Sequence, residues 1–532
     1  CRLVGSEMCI RDRSIPSHPR QLRYPPQSIG LPSVDGRRVE LAGGAVAFLA
    51  PDSTLPLVEV TLALRVGNFL DPEDQAGLAF VAGTQLRRGG AGRLDADAFD
   101  DRVDDLGARL ETVVGTTRSG ASLSVPSWEL EAGLDLLFAM LSEPGYQADR
   151  LAVAHSNMLE SMSRRNENAL EILDREWSWL MYGHQHFSIR PITPASLGRL
   201  TRSELVEFHQ RYWRADRMIL AISGDFDRHT LLASLDRRLQ EWAESESLDP
   251  AIDWPPPAPP AGPSGGLYHY ESNVPQAKVM IGHRLPELVE WRSPDRFKLA
   301  VVAELLGGRG AISRIAGRLR TAEGLVYRAS AHVDPGDLWP GELQIFFDTR
   351  NSSVARAVEL VQQEVGRLRS ETVHPRELEI VRQSLLARHR LRFDTAEEIA
   401  GCFAEDELVD RPHVYWQAYI DGVTRVTIAD VQQTAMTFLR PSSYSYLIGG
   451  RWDEVSSGAP AGTSSLEKIT GHRVIQLPAR DPLTLEIESP QEKGAETDVD
   501  RSHGGFSRQS ADDRSGCAAL QPREGPARLA RR

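Results

Sequence analysis

His184 and His186 stand one residue apart in a loop that also holds Tyr182 and Gly183, with His155 further upstream. Imidazoles so placed could begin a metal site. Zinc, however, needs three protein ligands, and no carboxylate follows this pair at a matching spacing. The three histidines are therefore read as structural. Gly307-Gly-Arg-Gly310 resembles a phosphate loop only in its glycines. It lacks the Lys-Ser/Thr that grips phosphate and magnesium, so it is read as a flexible loop at a cleft mouth. Glu160, in Glu160-Ser-Met-Ser-Arg-Arg, reads on its own as a solvated helix carboxylate.

Composition narrows the field. The chain has 532 residues, a hydrophobic fraction of 41% and a formal net charge of −13, so it can build two to four domain cores. That charge gives no electrostatic support to nucleic-acid binding. Lysine occurs only at Lys278, Lys298, Lys468 and Lys493, a bias towards arginine that fits GC-rich codon usage. No apolar run approaches the roughly 18 residues of a membrane span. Residues 1–13, CRLVGSEMCIRDR, resemble the translated read-through of a sequencing adapter and are set aside. On that reading Met8 is not the native start, and a signal peptide or a whole domain could precede residue 14. Cys402 and Cys517 then remain, too few and too distant for a disulfide framework.

The elements that must position any site come next. Val58, Val60, Leu62, Leu64 and Val66 alternate with Glu59, Thr61 and Arg65, which predicts a strand from Leu57 to Val66. Phe99, Val103, Leu106 and Leu110 are spaced for a helix face. Two strands are expected at 110–117 and 120–125, then a helix capped by Ser127 with Leu130, Leu134, Leu137 and Leu141 inward. Strands and helices mix without regular alternation, which favours an α+β sandwich. Thr201 and Glu204 form a capping-box pattern before a helix, followed by a strand ending at Gly224-Asp225. Thr427 and Asp430 open the same pattern 226 residues later, with a strand ending at Gly450. A constant offset over helix, turn and strand predicts two copies of one domain.

The expected boundaries are an extended segment over 14–37, a first copy over 38–245 and a proline-rich linker over 246–266. A second copy over 267–455 follows, and a largely disordered tail over 456–532, in which the apolar patch 474–487 could add a strand.

Local matches now carry a resemblance. Val66-Gly-Asn-Phe-Leu-Asp71 precedes Gly77-Leu-Ala79, and Asp105-Leu-Gly-Ala108 follows. Tyr182-Gly183 comes before His186, and Ser223-Gly-Asp-Phe226 closes the first copy. In the second copy come Leu306-Gly-Gly308, Ser313-Arg314, Leu319-Arg320 and Gly324-Leu-Val-Tyr327. In this order the motifs resemble the pitrilysin/insulinase family of zinc peptidases, the inverzincins, over roughly residues 38–455. The resemblance implies two tandem α/β-sandwich domains, antiparallel sheets with helices packed on them, as in mitochondrial-processing-peptidase-like folds.

Family members carry H-x-x-E-H on a helix, two imidazoles for zinc and a glutamate for the attacking water. Phe80, Gly83 and Thr84 occupy those three positions here, and none can ligate zinc or act as a general base. The third family ligand is a glutamate, matched by Glu160, 76 residues beyond Thr84. Without the histidines it is vestigial. In the family an arginine and a tyrosine of the second domain contact the substrate carbonyl, and these match Arg320 and Tyr327, with Arg318 a competitor for the arginine. A guanidinium fork and a phenol hydroxyl suit a developing oxyanion.

The resemblance thus implies a non-catalytic subunit that binds no cofactor itself. It would pair with a catalytic zinc-peptidase subunit and help enclose peptide substrates, by analogy in the bacterial envelope or periplasm. Two alternatives stand beside it: a structural or peptide-binding scaffold, and the inactive half of a longer two-half protease.

Overall fold

A computed structural model of the chain describes residues 30–245, 252–308, 313–457 and 464–488. Twelve strands among these residues form two six-stranded sheets. The first holds β1 (Arg38–Glu40), β2 (Val46–Pro51), β3 (Leu57–Leu64), β4 (Arg109–Val114), β5 (Ser119–Pro126) and β6 (Ile219–Gly224), in the order β1-β2-β6-β3-β5-β4. The second holds β7 (Gly266–Glu271), β8 (Gln276–Arg284), β9 (Val326–Val333), β10 (Glu342–Arg350), β11 (Ser445–Gly450) and β12 (Val474–Gln476), in the order β12-β7-β11-β8-β10-β9.

The alternation expected of β3 is what builds the first core. Val58, Val60, Leu62 and Leu64 are all buried against helices. Both sheets are mixed, which corrects the antiparallel expectation. β2 pairs parallel with β6, and β7 with β11, because the last strand of each copy returns beside its beginning. Leu110 lies in β4 instead of extending the preceding helix, which stops at Asp105. Ser127 does not cap the helix over Leu130–Ser142, since that helix has no side-chain cap bond.

Nine helices matter for the site: α1 (Leu78–Arg88), α2 (Ala148–Ser163), α3 (Ala169–Tyr182), α4 (Arg202–Tyr212), α5 (Pro294–Gly307), α6 (Pro375–Arg390), α7 (Ala396–Leu408), α8 (Tyr415–Arg425) and α9 (Ile428–Phe438). The 226-residue offset recurs in the fold: α4 and α9 start at 202 and 428, and β6 and β11 at 219 and 445. In the second copy Thr427 and Asp430 cap each other fully. In the first, Thr201 accepts from Glu204 N–H, but the Glu204 carboxylate takes Gln75 Nε2 at 3.1 Å instead. Thr427→Ala should remove about 1 kcal/mol and lower the melting midpoint by about 2–4 °C, read by circular dichroism.

Each copy lends one helix to the other. Leu173, Trp177 and Met181 of α3 pack on Tyr270, Met280, Phe346 and Leu447 of the second sheet. In return Ala400, Phe403 and Ala404 of α7 pack on Phe48, Ala50 and Ala221 of the first. Polar contacts fix the register of that exchange. Arg38 pairs with Glu407 at 2.8 Å, Arg65 with Asp410 at 2.7 Å and Arg118 with Glu405 at 3.3 Å.

Trp177 Nε1 donates to Glu342 Oε2 at 3.2 Å, and burial pushes the Glu342 carboxyl up to about 7. A carboxyl raised above its unfolded value of 4.5 holds its proton longer when folded. The folded state then binds more protons than the unfolded one, so this group's contribution to stability falls as pH rises from about 4.5 to 7. Glu342→Gln should flatten that part of a plot of urea midpoint against pH. An unchanged slope would assign the dependence to other groups.

The tail expectation needs correction over residues 464–488. Leu466–Thr470 is helical, and β12 extends the second sheet parallel to β7. Arg480 then reaches the first copy, bonding Glu176 at 3.1 Å and lying 4.7 Å over the Trp179 ring. Residues 458–463 and 489–532, with Cys517, lie outside the description, as do residues 1–29 and 246–251. Among the described residues no helix is long and apolar enough to cross a membrane.

Candidate functional site

Phe80, Gly83 and Thr84, the positions expected to match the zinc motif, lie on α1, which packs on β4, α2 and α4. Asp71 starts this helix: its carboxylate accepts from Gly77 N–H at 2.8 Å and Ala79 N–H at 2.7 Å. Burial raises the Asp71 carboxyl to about 6. Gly77 turns the chain into the helix at φ 98°, a left-handed geometry suited to glycine, and a Cβ there would strike Ile192.

Phe80 and Thr84 share the outer face of α1, four residues apart. Phe80 is 40% exposed, and Thr84 Oγ1 is spent on its own helix, donating to the Phe80 carbonyl at 2.8 Å. Gly83 points inward and is buried. A Cβ at 83 would sit 2.4 Å from Val114 Cγ2 and 3.6 Å from Trp213. The space a glutamate side chain needs is therefore filled by β4. Glu160 projects from α2 into solvent and pairs with Arg164, the residue that follows the helix. Among the described residues no three His, Cys, Asp or Glu side chains are grouped as metal ligands would be.

The histidines are tied into local packing. His184 stacks on Trp179 with centroids 4.5 Å apart. His186 Nδ1 lies 2.6 Å from Ser188 Oγ, and its Nε2 lies 3.1 Å from the Pro257 carbonyl of the linker. Burial lowers the pKa of His155, His184 and His186, which keeps the neutral rings favoured. Gly262-x-Ser264-x-Gly266 matches the letters of a hydrolase nucleophile elbow. It leads into β7 and not from a strand to a helix, so the required turn is absent.

Arg320 lies near the end of a π-helical turn over Gly317–Ala322, anchored by buried Leu319. Leu325 N–H donates to the Leu319 carbonyl at 2.9 Å, closing the loop that leads to β9. Tyr327 follows on that edge strand, 87% exposed. Arg318 is committed elsewhere, 3.0 Å from Glu323 and 4.0 Å from Glu364. Arg320 is exposed and has no ion pair among the described residues. Of the two arginines, only Arg320 is free for a ligand. Gly307 and Gly308 end α5, while residues 309–312 of the glycine-rich stretch lie outside the description.

Residues 199–385 match the family model described as the Peptidase M16 inactive domain. Over that stretch the chain is similar to the M16 inactive domain, and Phe80, Gly83 and Thr84 cannot supply the ligands and base of an H-x-x-E-H motif. The chain is 25% identical over 236 residues to an uncharacterized zinc protease of Mycobacterium leprae, covering 44% of this chain and 51% of that protein. It is 21% identical over 326 residues to human mitochondrial cytochrome b-c1 complex subunit 1, covering 58% of this chain and 64% of the relative. The chain thus spans about half to under two thirds of these relatives. Among solved structures, the M16 inactive domain from Pseudomonas fluorescens gives a TM-score of 0.66 at 20% identity, covering 78% of this chain and 98% of that one. The periplasmic protease PqqL from Escherichia coli also gives 0.66, at 14% identity, covering 81% of this chain and 47% of PqqL. These structural likenesses establish the M16-like tandem α/β fold.

Sequence reasoning missed one feature, a cleft of arginines and aromatic rings in the second copy. Asp406 at its base is fully buried, accepting from Arg411 at 2.7 Å and from Trp416 Nε1 at 2.8 Å. The dense run Arg411-Pro-His-Val-Tyr-Trp416 was the available signal.

Proposed function

We propose that this chain is the non-catalytic subunit of a heterodimeric zinc peptidase. It encloses and positions peptide for a zinc-bearing partner. One observation carries the reading: the three motif positions hold Phe80, Gly83 and Thr84, while Arg320 and Tyr327 stand exposed. A side chain held ready without an internal partner is suited to a ligand from outside. The zinc, the water-activating glutamate and the hydrolytic step belong to the partner. Arg320 offers charged donors to the substrate carbonyl and Tyr327 a hydroxyl.

Co-expression with a homologue that keeps an intact motif tests this. The two chains should co-purify, and peptide hydrolysis should require both. Hydrolysis by this chain alone, with zinc near one per chain, would overturn the reading.

A scaffold role is favoured by the likeness to a cytochrome b-c1 complex subunit. It predicts co-purification with other proteins and no gain of hydrolysis. A half-protease origin is favoured by the match to about half of PqqL, 47% of that chain. It predicts an active half encoded in the same reading frame.

A further inference from the structure

Besides α3 and α7, residues 474–488 tie the two copies together, starting on the second and finishing on the first. β12 adds three residues parallel to β7, and Gln476 Oε1 lies 2.6 Å from His269 Nδ1. Leu477 then packs on the cluster where α3 rests on the second sheet. Past it the chain turns back as a hairpin in which Arg480 pairs with Ile487. The Asp481 carboxylate holds the turn, accepting from Leu483 N–H at 2.9 Å and Thr484 N–H at 2.7 Å. Leu483 packs on the core of the first copy.

Arg480 pins this hairpin to the first copy. Its Nε donates to Glu176 Oε1 of α3 at 3.1 Å, and its carbonyl accepts from Asn166 Nδ2 at 2.7 Å. Its guanidinium lies over the Trp179 ring, which also stacks on His184. The Arg480 and Glu176 side chains are 12% and 5% exposed, so salt screens the pair little. Little else holds the segment. Among residues 474–488 only Leu485 is buried, and it sits at φ 61°, a left-handed backbone that leucine rarely adopts. A two-stranded hairpin is marginal by itself. Its order here comes from one ion pair and a few apolar contacts, the pattern of an element that opens locally.

We propose that residues 474–488 are a detachable strap, pinned by Arg480, whose attachment sets how firmly α3 of the first copy holds the second sheet. Detachment leaves Glu176 with Arg175, 3.4 Å away, as its ion-pair partner. It also bares a face of Trp179 and uncovers the packing of Trp177 and Met181 on Tyr270 and Phe346. α3 then loosens, and the copies gain freedom to move against each other. This conformational control depends on no reading of what the chain binds.

Hydrogen exchange on the full chain, read by mass spectrometry of peptic fragments, tests it. In the parent chain the amides of 477–488 should exchange about 100-fold or more faster than those of β8, because local opening precedes global unfolding. Arg480→Ala should speed 477–488 by a further factor of about 10 or more, the scale of a broken buried pair. The same variant should also speed α3 and leave β3 at the parent rate. Ile487→Thr, a change at an exposed side chain of the same hairpin, should leave all three near the parent rates. Arg480→Lys keeps the charge and loses the fork, so it should give a smaller rise in both segments. It reads the coupling even if the alanine variant fails to fold. Strap amides as slow as those of β8 would make 474–488 a fixed part of the sheet and overturn the proposal. A faster strap beside an unchanged α3 would overturn it equally, by showing that the strap controls nothing.

Discussion

Gly83→Glu, the change that would put a carboxylate at the position proposed to match the family's general base, is expected to destabilise the first copy by about 3 kcal/mol or more. Glycine inside a helix usually costs stability, so almost any replacement would gain up to about 1 kcal/mol from propensity alone. Packing reverses the sign here. The new Cβ would lie 2.4 Å from Val114 Cγ2, a branched side chain fixed on β4, with Trp213 behind it. A carboxylate placed there would also lose its hydration next to apolar neighbours. Gly83→Ala should already be destabilising by about 1–2 kcal/mol, through overpacking alone. Phe80→His with Thr84→His should be tolerated, because both positions face outward from α1. Thermal melts separate the three, with Gly83→Glu lower by about 6–10 °C. A Gly83→Glu protein that melts with the parent would show that the glutamate site is still open.

This asymmetry explains what the sequence could and could not convey. The 3.5-to-4 spacing of apolar residues and the period-two run of β3 are local signals, and they placed most elements correctly. The 226-residue repeat carried the tandem architecture because one copy's pattern could be laid on the other. Pairings across long separations have no such local mark. Nothing in Ala169–Tyr182 or Ala396–Leu408 says that each helix covers the other copy's sheet. The parallel pairing of β2 with β6 was equally silent, whereas the apolar patch 474–487 did mark a possible strand, and β12 is that strand, its place beside β7 coming only from the fold. At the site, residue identity excluded zinc chemistry at positions 80, 83 and 84. Only the fold reveals that Val114 fills the space beside Gly83, that Arg318 is spent on Glu323, and that Arg320 is free.

Arg320→Ala carries the second large effect. If the guanidinium meets the substrate carbonyl as charge develops on it, its removal should cost about 10²–10³ in kcat, the range for losing one oxyanion donor. Tyr327→Phe removes a single neutral hydroxyl and should cost less, about 10-fold. Both side chains are exposed, so neither change should alter the melting midpoint by more than about 0.5 kcal/mol in stability. Arg318→Ala serves as the contrast, because it breaks the ion pair with Glu323 without touching the exposed pair. It should leave kcat near the parent value. A loss confined to KM would place Arg320 in ground-state binding instead.

The most direct test is the steady-state rate of peptide hydrolysis by the reconstituted pair, with Arg320→Ala in this chain and the zinc-bearing partner unchanged. The account predicts a fall in kcat of about 100-fold or more while zinc content and complex formation stay at the parent level. A pair that assembles, keeps its zinc and hydrolyses peptide at the parent rate would contradict it.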